Sequence, residues 1–147
     1  MKQFAIVIVF VMGLALIGCG SNSNSNASNI NGNWNASLVS GGNSPVFAFG
    51  TSMTVNSDGS LNITNFQFTT NSPCFASGQT ETGAFTLAGD FNGNVTGKYG
   101  MTVQSGTPTG NTLVLSGNVN GNTITGSWTL TGSSGCTGSG TFTMTKV

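Results

Sequence analysis

Histidine and arginine are absent from this 147-residue chain, and charged side chains of any kind make up only 4% of it. Without histidine there is no ordinary Ser-His triad, no imidazole base and no common zinc site. Three lysines are too few to neutralise a phosphate backbone, which argues against nucleic acid as a partner. The sequence therefore predicts a protein that is not an enzyme and that carries no cofactor and no metal.

The chain begins with Lys2 and an apolar run at residues 4–17, which is shorter than the ~20 residues that a membrane-spanning helix needs. The run ends on small residues and is typical of a cleaved secretory signal. An uncleaved anchor helix and an ordinary signal cut nearby are the alternatives. Leu16-Ile17-Gly18-Cys19 resembles a bacterial lipobox. The resemblance implies that residues 1–18 are a lipoprotein signal peptide and that Cys19 is diacylated, with a further acyl chain on the new amino terminus.

Residues 19–29 are rich in serine and asparagine, and behind Cys19 they contain no apolar residue larger than alanine. Such a segment cannot help to form a core, so it is expected to be a flexible tether between the lipid and a folded domain. By resemblance to proteobacterial lipoproteins, Gly20 stands where an inner-membrane retention signal has aspartate. The expected location is the cell envelope, lipid-anchored at the outer membrane.

Two further cysteines, Cys74 and Cys136, remain once Cys19 is acylated. Both lie in turn-like sequences, and outside the cytoplasm disulfides form and persist. A metal site would lack a third soft ligand, and a redox pair would lack the Cys-x-x-Cys spacing. The sequence predicts a structural disulfide between two loops.

Apolar and polar residues alternate with period two in eight runs of residues 30–147, and helical periodicity does not appear after the signal. In the third run the apolar parity changes between Ile63 and Phe66, which predicts a bulge near Thr64 or Asn65. The sequence thus predicts an all-β domain with one apolar face and one threonine-rich face.

Tight turns are predicted between several of these strands. Asp58-Gly59 predicts a type I′ hairpin turn, and Asn92-Gly93 and Asn120-Gly121 predict two more turns. Short sequential connections favour an up-and-down arrangement, in which every strand pairs with its sequence neighbours and the first strand meets the last.

An eight-stranded antiparallel up-and-down β-barrel and a β-sandwich are the two closures that such strands allow. The open edges of a sandwich usually carry lysine or proline, and both are nearly absent from the middle of these strands. The barrel is therefore favoured. Large apolar residues would line its interior and threonines its exterior, which is the inverse of a membrane-spanning barrel.

The few acidic residues have structural interpretations. Asp58 and Asp90 are expected in turns, where a short acceptor side chain caps the backbone. Glu81 shares its parity with Phe85 and Leu87, which would aim its carboxylate into the mouth of the barrel. A frayed strand end with Glu81 in solvent is the favoured interpretation.

Glycine two residues before an aromatic ring recurs on the apolar face, in Gly32-Asn33-Trp34, Gly97-Lys98-Tyr99, Gly126-Ser127-Trp128 and Gly140-Thr141-Phe142. Such a pair permits a sharp bend, with the ring covering the gap. These motifs resemble those of the calycin group, the lipocalins and avidin-like barrels, which implies a calycin-like barrel over residues 30–147. The aspartate before the closing strand of avidins is replaced here by Gly138 or Ser139, so biotin binding is not implied.

Two functions remain open from the sequence. The first is a structural or interaction module whose barrel is filled and whose surface contacts another envelope protein. The second is a binding module for a small apolar ligand. Nearly every inward position is apolar, whereas a specific ligand site needs a few placed polar groups, and this favours the filled barrel. The residues expected to form either the core or the ligand lining are Trp34, Phe47, Phe49, Phe85, Tyr99, Trp128 and Phe142.

Overall fold

Eight antiparallel strands form a single sheet in the computed structural model, which describes residues 30–42, 45–76, 78–91, 94–106, 110–133 and 135–147. A short 3₁₀ turn, Pro73–Phe75, lies between the third and fourth strands. The predicted signal peptide, the tether and Cys19 lie outside the described residues. The strands are β1 Gly32–Ser40, β2 Pro45–Val55, β3 Leu61–Phe68, β4 Gln79–Phe91, β5 Asn94–Ser105, β6 Thr112–Asn120, β7 Thr123–Thr131 and β8 Gly138–Lys146.

The strand order is β3-β2-β1-β8-β7-β6-β5-β4, so the first strand pairs with the last and the sheet is nearly closed into a barrel. The predicted all-β barrel is confirmed. The expectation that every strand pairs with its sequence neighbours is wrong for β3 and β4, which are the two ends of the order. They are linked by a single bridge between Ser60 and Ala84. We call the unpaired edges of β3 and β4 beyond this bridge the β3–β4 seam.

The connection from β3 to β4 explains the seam. It is a long loop rather than a tight hairpin turn, and Cys74 within it is bonded to Cys136 in the loop between β7 and β8. The connection is therefore drawn toward the opposite side of the barrel. A tight turn holds two strand ends at pairing distance, and this loop does not.

The predicted bulge is present in β3. Gly50 pairs with Gln67 and Ser52 pairs with Thr64, so two residues of β3 oppose Thr51 alone. Asn65 is one of these two residues and has a φ of 52°, the only positive φ of a non-glycine residue in the described part of the chain. Asparagine tolerates this left-handed conformation better than most residues. The extra residue brings the side chains on both sides of the bulge toward the interior, as the parity change predicted.

The turn between β2 and β3 differs from the predicted type I′ turn. Gly59 has a φ of 85°, whereas Asp58 has no positive φ. The Asn56 N–H donates to the Ser60 carbonyl oxygen at 2.8 Å, and the Gly59 N–H donates to the Asn56 carbonyl oxygen at 3.0 Å. This is a three-residue loop that ends on a left-handed glycine. Asp58 stabilises it by accepting the Ser60 N–H at 2.9 Å.

The turn predicted at Asn120-Gly121 lies one residue further on. Asn120 pairs with Thr123, so the two loop residues are Gly121 and Asn122. Gly121 has a φ of 57°, as the first central position of a type II′ turn requires. Asn92 and Gly93 lie outside the described residues, between the paired residues Phe91 and Asn94.

One residue predicted on the inner face is exposed. Leu87 is 43% exposed, although Phe85 on the same strand is buried. It lies on the side of the Ser60–Ala84 bridge where β3 has not yet begun, and no described strand pairs with that edge of β4. The register of β4 against β5 also shifts between Leu87 and Gly89. Strand alternation alone could not show that β4 extends past its neighbour.

Candidate functional site

The barrel interior is the first candidate site, and it contains all seven aromatic residues that the sequence gives as core or ligand lining. Each is at most 5% exposed. The indole N–H of Trp34 donates to the Ile30 carbonyl oxygen at 2.8 Å, and that of Trp128 donates to the Val39 carbonyl oxygen at 2.9 Å. Both indole donors are therefore satisfied by the backbone of the protein itself and are not directed at a ligand.

Aromatic rings fill the space above inward-facing glycines. A Cβ atom added to Gly97 would overlap the Phe85 ring, at 2.6 Å from Cζ, and one added to Gly140 would lie 2.9 Å from Trp128 Nε1. In both cases the covering ring comes from the neighbouring strand. The prediction that the aromatic ring of each motif covers the glycine of the same motif is wrong for these two glycines. The space above each glycine is filled by a ring from the neighbouring strand, because the motif's own aromatic residue lies further along the same strand.

A second contact of this type lies between β6 and β7. Gly117 and Gly126 pair directly, and a Cβ on Gly126 would lie 2.5 Å from the Gly117 Cα. A Cβ on Gly117 would lie 2.9 Å from Cζ of Phe142. The backbones approach closely and the phenylalanine ring covers them, so this part of the interior is occupied by the chain's own atoms.

An aromatic cluster closes the end of the barrel near the disulfide. Phe75, from the 3₁₀ turn, stacks on Phe68 with ring centroids 5.0 Å apart, and Phe47 contacts the Trp128 ring edge-on at 5.9 Å. The neighbouring Cys74 is bonded to Cys136, with a Cα–Cα distance of 5.7 Å, which confirms the predicted disulfide. The disulfide holds Phe75 over this end of the barrel.

Asn111 is a buried polar residue that the sequence analysis missed. It is 1% exposed. Its side-chain N–H donates to the Cys74 carbonyl oxygen at 2.8 Å, and its side-chain oxygen accepts the Ser133 N–H at 2.9 Å. A Cβ on Gly132 would collide with this side chain, so the glycine leaves room for it. Asn111 thus joins three loops beside the disulfide. In a chain so rich in asparagine, no local signal distinguishes it.

The hydroxyl of Tyr99 is a weakly paired polar group of the interior. It donates to the sulfur of Met101 at 3.1 Å, and a thioether is a poor acceptor. Burial raises the pKa of Tyr99, so the phenol stays neutral. Thr51, also buried, donates to the Thr64 carbonyl oxygen at 3.3 Å. Neither hydroxyl forms a cluster with other polar side chains that could orient a ligand.

The acidic residues occupy three different environments. Asp58 lies in a turn as predicted, and hydrogen bonds from the hydroxyl and backbone N–H of Ser60 lower its pKa. Asp90 lies in β4, paired with Val95, and the prediction of a turn there is wrong. Glu81 is half-buried in β4 opposite Val103, so the frayed-end interpretation is also wrong. Desolvation raises the pKa of Glu81.

The β3–β4 seam is the second candidate site. A cleft of about 330 Å³ lies where the strands diverge, between the end of β3, the loop that follows it and Gln79 at the start of β4. Its lining carries hydroxyl, amide and aromatic side chains and no charge. The Ser72 hydroxyl beside it is buried without a hydrogen-bond partner, and it does not cap the 3₁₀ turn that follows.

The described residues contain no group of three histidine, cysteine or acidic side chains that could hold a metal ion. They also contain no helix that is long and apolar enough to cross a membrane. In comparisons with known proteins, no family model matches the chain, and neither a curated protein nor a solved structure matches it significantly.

Proposed function

We propose that this chain is a lipid-anchored protein of the bacterial cell envelope, held at the outer membrane through Cys19, and that its barrel is a non-catalytic structural or interaction module. The non-catalytic structural role is supported by the rings of other strands that cover inward-facing glycines, as Phe85 covers Gly97 and Trp128 covers Gly140. A barrel built in this way is occupied by its own side chains.

The distribution of polar groups supports the same proposal. A specific site for a small molecule uses a few convergent polar groups within an apolar pocket. Here both indole N–H groups donate to backbone carbonyls, and the Tyr99 hydroxyl donates to a sulfur atom of its own strand. With no histidine in the chain, the interior offers no imidazole base.

The lipid anchor is supported by the lipobox-like quartet that ends at Cys19 and by the serine- and asparagine-rich residues behind it. One acyl chain gives only marginal membrane binding, so an anchor of several chains suits a protein that stays on the membrane. The eight-stranded order and the Gly32-Asn33-Trp34 motif at the start of β1 support a calycin-like barrel as part of the proposal.

Fractionation of cells that express the full chain tests the anchor. The wild type should incorporate labelled palmitate and sediment with outer membranes, while Cys19→Ser should accumulate as an unlabelled precursor. Gly20→Asp is the matched control, because it should keep the label and move the protein to the inner membrane. Unchanged processing and location of Cys19→Ser would refute the anchor.

A further inference from the structure

The β3–β4 seam leaves two strand edges unpaired in a fold that otherwise removes its edges. β3 and β4 end the strand order, and in the described residues their backbone pairing is limited to the Ser60–Ala84 bridge and the hydrogen bond from the Phe85 N–H to the Gly59 carbonyl oxygen at 2.8 Å. Beyond the bridge, the edge of β4 from Gln79 to Gly83 pairs with no other strand of the described residues on this side. An unpaired edge is a template for an added strand.

The β3 edge lacks the residues that usually prevent such pairing. Leu61–Phe68 contains no charged residue and no proline, and its only irregularity is the bulge at Asn65. On the β4 edge, Glu81 is the only charged residue between Gln79 and Gly83. The charge that a partner strand would meet in the seam is therefore a single carboxylate.

The same carboxylate also disfavours closure of the seam by β3, in addition to the effect of the long connection between β3 and β4. Just beyond the bridge the two strands are in contact, since a Cβ on Gly83 would lie 3.0 Å from Leu61 Cδ1 and 3.2 Å from Ile63 Cδ1. Continued pairing in the register of Ser60 and Ala84 would set Ile63 directly opposite Glu81. An isoleucine in that position would desolvate the carboxylate without a hydrogen bond or an ion pair.

The remaining contacts of β3 also favour separation. Beyond the bulge, Phe66 packs on Phe49 with ring centroids 4.7 Å apart, and Phe68 stacks on Phe75 at 5.0 Å. These rings tie β3 to β2 and to the 3₁₀ turn. The cleft that ends at Gln79 marks where β3 and β4 diverge.

We propose that an extended segment of a partner protein adds as a strand to the β4 edge in the seam, with a basic side chain paired to Glu81. The proposal rests on the interaction role proposed above. Backbone N–H and C=O groups of the edge would hold the strand, and Glu81 would select its sequence. A lysine or arginine supplies the opposite charge and the hydrogen bonds that Ile63 cannot.

A pair of synthetic peptides tests this with the full mature lipoprotein in detergent. Both peptides alternate threonine and valine. They differ at one central position, which would face Glu81 in the bound strand and is lysine in one peptide and glutamate in the other. Fluorescence anisotropy measures affinity, and hydrogen exchange locates the bound strand. The lysine peptide should bind at least about tenfold more tightly and should slow exchange at Gln79–Gly83. Glu81→Gln should remove most of this difference, while Asp58→Asn, in the turn on the other side of the Ser60–Ala84 bridge, should preserve it.

Three results would overturn the proposal: equal affinity of the two peptides, absence of binding, or protection confined to strands other than β3 and β4. A dimer of the free protein whose β4 edge is already protected would also overturn it, since a second copy would then occupy the seam. Membrane fractionation of the cells from which the protein is purified separates the two proposals, because an anchored protein that binds neither peptide refutes only the strand addition.

Discussion

The indole ring of Trp128 covers Gly140 on the adjacent strand, the two residues being directly paired between β7 and β8. The same ring donates its N–H to the Val39 carbonyl oxygen at 2.9 Å, on the far side of β8. One side chain thus links three consecutive strands, β7, β8 and β1, where the first strand of the chain meets the last. This contact is expected to stabilise the closure of the barrel.

Truncation of Trp128 to alanine should therefore lower the free energy of unfolding by about 3–5 kcal/mol, as for other buried rings. Trp128→Phe keeps a ring over Gly140 but leaves the Val39 carbonyl without its donor, and should cost less. Urea denaturation followed by circular dichroism measures both. Near-wild-type stability of Trp128→Ala would show that the ring is not part of a packed core.

Gly97 provides a test of the packing on the other side of the barrel. A Cβ there would overlap the Phe85 ring and lie 2.5 Å from the Thr86 carbonyl oxygen. Gly97→Ala should destabilise the protein by about 1–3 kcal/mol through overpacking. Gly100→Ala is the matched control on the same strand, because the nearest atom to its Cβ is the Leu115 carbonyl oxygen at 3.9 Å. Equal stability of the two variants would contradict the ring-over-glycine packing.

The disulfide between Cys74 and Cys136 closes a loop with a sequence separation of 62. In the chain-entropy model its removal should cost about 4 kcal/mol, a large part of the stability of a small domain. A double serine variant should show this loss in thermal or urea unfolding. Thiol labelling of the denatured, unreduced protein should modify neither cysteine, and labelling of both would disprove the bond.

Asn111 should matter far more than other asparagines. Asn111→Ala would leave the Cys74 carbonyl and the Ser133 N–H unpaired beside the disulfide, at a cost of about 2 kcal/mol or more. Asn118→Ala is the control, since Asn118 is exposed and accepts only a hydrogen bond from Lys98 in the described structure. It should change the unfolding free energy by less than about 0.5 kcal/mol. Similar losses in the two variants would contradict the joining role of Asn111.

The sequence predicted the strands well because their apolar period is regular, and the parity change in β3 located the bulge at Asn65. The seam could not be predicted in the same way. Whether β3 and β4 pair depends on where their long connection runs, and that path is set by the Cys74–Cys136 bond and the ring contacts of Phe75. Leu87 was misassigned for a related reason, since alternation does not reveal where a neighbouring strand begins.

The candidate site was predictable only in part. The Cys74–Cys136 pair followed from elimination, because only two cysteines remained outside the lipobox. The aromatic residues of the interior followed from their parity. Asn111 could not be found, because its partners are the Cys74 carbonyl and the Ser133 N–H, and backbone partners from distant loops leave no trace in local sequence.

The central claim, a barrel filled by its own side chains, is tested most directly by titrating the purified full-length protein with N-phenylnaphthylamine, an uncharged apolar dye. Trp34 and Trp128, both buried in the interior, report on binding through their emission. The filled barrel predicts no saturable quenching of tryptophan emission. Stoichiometric quenching that disappears in Trp128→Phe would contradict it and would establish the interior as a site for a small apolar ligand.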